Sequence, residues 1–231
     1  MYFLQLTESL IRAQEDDILR EVTVGDLLRE AAVERASTTA LLEVDMEGQT
    51  GRSWTYSELL SDSEQLALAL ASRYSKGERI TVWAPNIPEW LLIEYACALA
   101  GLVLVTANPS YQDKELQYVL EQSGSVALFL VKHYRGNPMH EIALKATEGL
   151  AAVREIVDVD DHAALFRTGD RVSVLPDVYP DDPVQIQYTS GTTGFPKGAV
   201  LAHRSLTNNA RFYAKRALAT PESTWANFIP M

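Results

Sequence analysis

One cysteine, Cys97, and four histidines are all that 231 residues offer to thiol or imidazole chemistry. A lone thiol closes no intramolecular disulfide, and no Cys/His group has the spacing of a zinc site. Both absences suit a reducing compartment. Glycine and proline are sparse, at 12 and 10 residues, which excludes collagen-like and low-complexity chains. Basic side chains are outnumbered, 20 against 31 acidic ones, for a formal charge of −11. That balance argues against a nucleic-acid binder with a basic surface and against an electrostatic anchor on anionic lipid. The opening MYFLQLTESLIRAQEDD has no basic n-region and only a short apolar run, so it does not read as a signal peptide. The longest apolar segment, 90–107, contains Glu94 and is broken by Gly101. Against the ~20 apolar residues that span a bilayer, it reads as a buried helix followed by a buried strand.

What the chain does have is apolar content, 47%, enough for a core. Its length suits one large domain or two small ones. Leu27, Leu28, Ala31 and Ala32 share one helical face after Thr23, a plausible N-cap. TALLEV (39–44) reads as a strand, 46–51 as a turn and 53–55 as a second short strand. Thr55 and Glu58 have the spacing of a capping box and open a helix that carries Leu59, Leu60, Leu66, Ala67 and Leu70. Gly77 is suited to the left-handed position after that helix. Strand 79–84, helix 88–100, strand 102–106, helix 113–122, strand 126–131, helix 139–148 and strand 154–159 follow. Such alternation predicts an α/β fold: a doubly wound, mostly parallel sheet with helices on both faces. Ligands in such sheets sit at the carboxyl ends of the strands, which makes the loops after Ala84 and Thr106 rim candidates. Residues 160–183 read as a loop-rich connector. A boundary there divides an N-terminal α/β subdomain, 1–180, from the start of a second, 181–231.

The segment with chemistry follows the strand at 184–188. It runs Thr189-Ser190-Gly191-Thr192-Thr193-Gly194-Phe195-Pro196-Lys197-Gly198, then a strand-like AVLAH and a helix at 204–218. Gly191, Gly194 and Gly198 permit positive φ and let backbone N–H groups approach an anion. The hydroxyls of Thr189, Ser190, Thr192 and Thr193 can donate to phosphate oxygens. Lys197 adds a point charge of the right sign, and Pro196 restrains the loop. No Ser or Thr follows Lys197, so this is not a Walker A loop, and a phosphate-loop kinase is disfavoured. The bland alternative is a Gly/Thr-rich hairpin that only connects two strands.

At YTSGTTGFPKG (188–198) the chain closely resembles the signature loop of the adenylate-forming superfamily, which includes acyl-CoA synthetases, luciferases and the adenylation domains of peptide synthetases. WTYSEL (54–59), the stretch 86–124 with its NPSY and KEL, HRSLTNNA (203–210) and FIPM (228–231) agree, so the resemblance runs from about Thr23 to Met231. LVTANPSY in particular resembles the acyl-CoA ligase branch more than the peptide synthetases.

The resemblance implies a two-step ligase. A carboxylate attacks the α-phosphate of Mg-ATP to give an acyl-adenylate and pyrophosphate, and the thiol of coenzyme A then takes the acyl group. Residues 189–198 would hold the β- and γ-phosphates, Lys197 would neutralise charge there, and Thr189 would help to place Mg²⁺. No catalytic residue is assigned, since a carboxylate nucleophile needs no base and the family's adenine, ribose, hinge and late lysine motifs lie beyond Met231. The expected acid is fatty or otherwise hydrophobic. The resemblance allows a homodimer of the full-length enzyme, in the cytoplasm and without an integral membrane segment. Family members exceed twice this length, so the chain is expected to be an N-terminal portion, inactive alone. A non-catalytic nucleotide-binding or interaction fragment is the rival from another class. His203 reads as a helix-start residue, Cys97, Trp83 and Trp90 as core, and His133, His140 and His162 as surface. Asp16-Asp17 and Asp181-Asp182 read as solvated turns rather than metal sites.

Overall fold

The computed structural model describes residues 17–45, 47–170, 174–189 and 196–227. Seven helices and eight strands lie among them: α1 Val24–Glu34, β1 Thr39–Val44, β2 Thr50–Thr55, α2 Tyr56–Arg73, β3 Arg79–Trp83, α3 Pro88–Leu99, β4 Val103–Thr106, α4 Asp113–Ser123, β5 Ala127–Leu130, α5 Met139–Ala146, β6 Glu155–Asp158, α6 His162–Leu165, β7 Pro183–Thr189, β8 Lys197–Ala202 and α7 His203–Arg216.

Local chemistry sets the helix ends. Thr23 caps α1, its hydroxyl accepting the Asp26 N–H at 3.0 Å while the Asp26 carboxylate accepts the Thr23 N–H at 2.9 Å. Thr55 and Glu58 do the same for α2 at 3.2 and 2.8 Å. Each box satisfies two backbone donors that the first turn leaves without helical acceptors. Gly77 and Gly124 take φ of +83° and +63° behind α2 and α4, where a Cβ would be strained.

β3, β4 and β5 fall within the strands read from the sequence at 79–84, 102–106 and 126–131. All four residues of β4 and of β5 are buried, as in strands covered on both faces. The six-stranded sheet has the order β6-β5-β3-β4-β7-β8. β3 to β7 are mutually parallel and β8 runs antiparallel to β7. The chain steps from β3 out to β4, then back across β3 to β5. Right-handed crossovers in opposite directions put their helices on opposite faces. Accordingly α1, α2 and α3 pack together, and α4 packs with α5. Trp83, Trp90, Phe129, Leu66, Leu70, Ile80, Leu104 and Leu128 fill the space between. At about 1.5–3 kcal/mol for each large side chain removed from water, this layer dominates the stability of the fold. α3 and β4 together account for the apolar segment 90–107. No helix among the described residues is long and apolar enough to cross a membrane.

Several boundaries differ from the sequence reading. The turn before β2 is shorter, because the Asp45 carboxylate accepts the N–H groups of Glu47 and Gln49 and closes it by Gln49. Thr50 and Gly51 therefore belong to the strand. The connector 160–183 holds one helical turn, α6, capped by the Asp161 carboxylate on the Ala164 N–H. His203 opens α7 instead of closing a strand. β7 joins the sheet beside β4, and β8 extends it from β7.

Helix α7 holds the chain before α1 by its backbone. The Asn208 carboxamide accepts the Arg20 N–H and donates to the Arg20 carbonyl, both at 2.9 Å. His203 Nδ1 accepts the Val24 N–H at 3.1 Å, and Arg211 Nη1 donates to the Ile18 carbonyl at 3.0 Å. Asp17, expected as a solvated turn residue, pairs instead with Arg211 and Lys215 at 2.9 and 2.5 Å. Asp16 lies outside the described residues.

Candidate phosphate-binding site

β7 ends at Thr189 and β8 begins at Lys197, and these two residues face each other as the last rung of the ladder. The Thr189 hydroxyl donates to the Lys197 carbonyl across it at 3.4 Å. Since β7 is parallel to β4, the loop they close stands at the carboxyl ends of the parallel strands, beside the loops after β3 and β4. That is the rim where open α/β sheets bind ligands. The two rim loops named from sequence are tied together: the indole N–H of Trp83 donates to the Asn108 carbonyl at 2.9 Å.

Of the eight expected phosphate-binding residues, Thr189, Lys197 and Gly198 are placed. Ser190, Gly191, Thr192, Thr193 and Gly194 lie outside the described residues. Lys197 is exposed, and no carboxylate among the described residues pairs with it. An exposed cation beside a hydroxyl, where the Gly/Thr segment leaves the ladder, is a donor set that fits an anion such as a polyphosphate. Gly198 serves differently from the expectation. It is not among the glycines with positive φ. It lies opposite Tyr188 in the ladder, and a Cβ there would stand 2.9 Å from Ile186 Cγ2 and 3.2 Å from the Tyr188 ring. The glycine is needed for close packing, as in strands where another group approaches the backbone.

Two phenols, one from each side, tie the hairpin to α4. The Tyr188 hydroxyl donates to the Val119 carbonyl at 3.4 Å. The Tyr118 hydroxyl donates to the Pro196 carbonyl at 3.1 Å and accepts from Gln122 Nε2 at 2.8 Å. Burial first, then the neighbouring Tyr118 and Tyr111, pushes the Tyr188 phenol up to about 12, so it keeps its proton and donates. Tyr118 and Gln122 were missed by motif reading. The signal available was a polar-tipped aromatic beside the buried Leu116, Val119 and Leu120 on α4.

Most of the other tempting residues fall where the sequence put them; Asp181 and Asp182, read as solvated turn residues, pair instead with Arg204 and Lys76. His203 is fully buried, and burial pushes its imidazole down to about 4, so it is neutral and structural. Cys97 is buried and its thiol is pushed up by desolvation. Trp83 and Trp90 are core, while His133, His140 and His162 are exposed. Asp182 is held well below the usual carboxylate range by Lys76, 2.7 Å away. An open hollow of about 700 Å³ lies at the ends of β5 and β6, lined by Lys132, His133, Asp158, Asp160, Asp161 and His162. Lys132 already pairs with Asp158 at 2.8 Å. No group of three or more His, Cys, Asp or Glu among the described residues could hold a metal.

Comparison with known proteins decides the family. The AMP-binding enzyme family matches residues 28–231. The chain belongs to this family. A medium-chain acyl-CoA ligase, ACSF2, of Danio rerio is 33% identical over 91% of the chain and 39% of its own length. A fatty acyl CoA synthetase of Mycobacterium tuberculosis superposes with a TM-score of 0.67 at 26% identity, over 84% of this chain and 37% of that one. The N-terminal domain of FACL13 from the same organism gives 0.68 at 24%, over 89% and 49%. The α/β architecture is thus that of N-terminal domains of adenylate-forming enzymes. The chain spans about two fifths of the length of the curated relatives it matches.

Proposed function

We propose that the chain is the phosphate-binding portion of an ATP-dependent acyl-CoA synthetase. The observation that carries this reading is the β7–β8 hairpin, which presents Thr189 and an exposed Lys197, with no carboxylate partner among the described residues, at the sheet's carboxyl rim in a member of the AMP-binding enzyme family. In this reading residues 189–198 cradle the β- and γ-phosphates of ATP. Lys197 and backbone N–H groups of the loop stabilise charge that builds on pyrophosphate as a substrate carboxylate displaces it from the α-phosphate. The Thr189 oxygen would help to hold Mg²⁺, which neutralises phosphate charge when bound. The acid is fatty or otherwise hydrophobic, in line with the ligase names of the relatives. Coenzyme A as acceptor, a homodimer of the full-length enzyme and a cytoplasmic site belong to the same reading. So does a second subdomain that opens at 181, with β7 and β8 as its bridge to the first.

The test is ATP–pyrophosphate exchange with a series of straight-chain acids. In a full-length enzyme containing this segment, medium or long acids should drive exchange, and Lys197→Ala should cut it by about 10²-fold, as loss of one transition-state donor does. The 231-residue chain alone should form no acyl-CoA. Exchange that ignores Lys197, or acyl-CoA formation by the chain alone, would contradict the reading.

A further inference from the structure

We infer that Tyr118 is a positioning residue for Lys197 and acts through the Pro196 peptide. The inference rests on the phosphate-binding reading of the loop and adds to it a residue outside the motif. Its hydroxyl donates to the Pro196 carbonyl at 3.1 Å. A peptide unit is planar, so fixing the Pro196 oxygen fixes the plane that contains the Lys197 nitrogen and Cα. The proline ring already holds its own φ near −65°. Two soft torsions that would let Lys197 swing are thereby restrained, one by a ring and one by a phenol.

The phenol is itself held. Gln122, one turn further along α4, donates to the Tyr118 oxygen at 2.8 Å, which leaves the hydroxyl proton for Pro196. The helix is held against β7 by the Tyr188 hydroxyl on the Val119 carbonyl, the residue after Tyr118. The opposite side of the loop mouth is fixed by the ladder at Thr189 and Lys197. Loop closure thus has two anchors of different origin. The sheet supplies one. The other comes from α4, the crossover helix between β4 and β5, whose first turn leaves the rim beside the loop after β4. A cation pre-set against an anion loses less freedom on binding, and affinity rises by what is saved.

The test is a double-mutant cycle on the chain, read by calorimetric titration with magnesium tripolyphosphate. Tyr118→Phe removes only the hydroxyl and should weaken binding about five-fold, the size of one lost hydrogen bond. Lys197→Ala should weaken it further, and Tyr118→Phe should then add nothing, because the residue through which it acts is gone. Gln122→Ala should give a smaller loss of the same kind. If wild type binds and the Phe variant binds equally well, the positioning role is wrong and the phosphate reading stands. If the two effects simply multiply, Tyr118 is only a packing residue and the inference fails. If wild type binds no tripolyphosphate, the phosphate reading itself fails and takes the inference with it.

Discussion

Two titratable groups, the buried His203 and the half-buried Glu94, oppose each other in the same pH interval, and removing either should expose the other. His203 titrates near 6.5 when unfolded and is pushed to about 4 when folded, chiefly by burial. Between those values the unfolded chain binds a proton that the native chain does not, so stability falls as pH falls. Glu94, on α3, is pushed from 4.5 to about 7 by desolvation of its carboxyl. Between those values the native chain keeps a proton that the unfolded chain releases, so stability falls as pH rises. From pH 5 to 6.5 each slope amounts to about 2 kcal/mol, at about 1.4 kcal/mol per pH unit. The wild-type profile should therefore be nearly flat there. Glu94→Gln should lose about 2 kcal/mol on acidification from 6.5 to 5. His203→Asn keeps an acceptor for the Val24 N–H and should lose a similar amount in the opposite direction. Thermal unfolding at fixed ionic strength reads this as about 4–8 °C for a chain of this size. The held-down carboxylates, Asp17, Glu43, Glu58 and Asp182, add acid loss only below this interval. A Glu94→Gln profile as flat as the wild type would refute the reasoning.

Two further substitutions test packing, one at the α7 clamp and one in the β7–β8 hairpin. Asn208→Ala strands the Arg20 N–H and carbonyl that the buried carboxamide satisfies. It should cost about 2–3 kcal/mol in urea unfolding and speed amide exchange of residues 18–22, and unchanged exchange there would rule out the clamp. Gly198→Ala drives a methyl against Ile186 and the Tyr188 ring. It should cost about 1–3 kcal/mol, visible in thermal melts, and no loss would mean that Tyr188 has room to move.

Most of the fold was readable because its signals are local. The capping box of Thr55 and Glu58, the stop glycine Gly77 and the short strand runs of β4 and β5 depend on residues a few positions apart. The 46–51 turn was misjudged because what closes it is one carboxylate, Asp45, taking two amide protons, and composition does not show that. Gly198 was read for backbone freedom when its cause is a ring across the strand pair, a contact visible only once the register is known. Tyr118 was invisible for a related reason. Its partner is 78 residues away, and only the return of β7 beside β4 brings α4 under the hairpin.

The grip of α7 on residues 18–24 has a consequence for substitution. Arg20, Ile18, Val22 and Val24 are all held through main-chain atoms. A partner that reads amides and carbonyls does not care which side chains they carry, and Ile18 and Leu19 project into solvent at 83% and 53% exposure. Substitutions at positions 18 and 19 should therefore leave this grip intact. At position 20 one replacement is closed: proline, which has no N–H for Asn208 to hold. The side chain on which this junction depends is Asn208, 188 residues downstream.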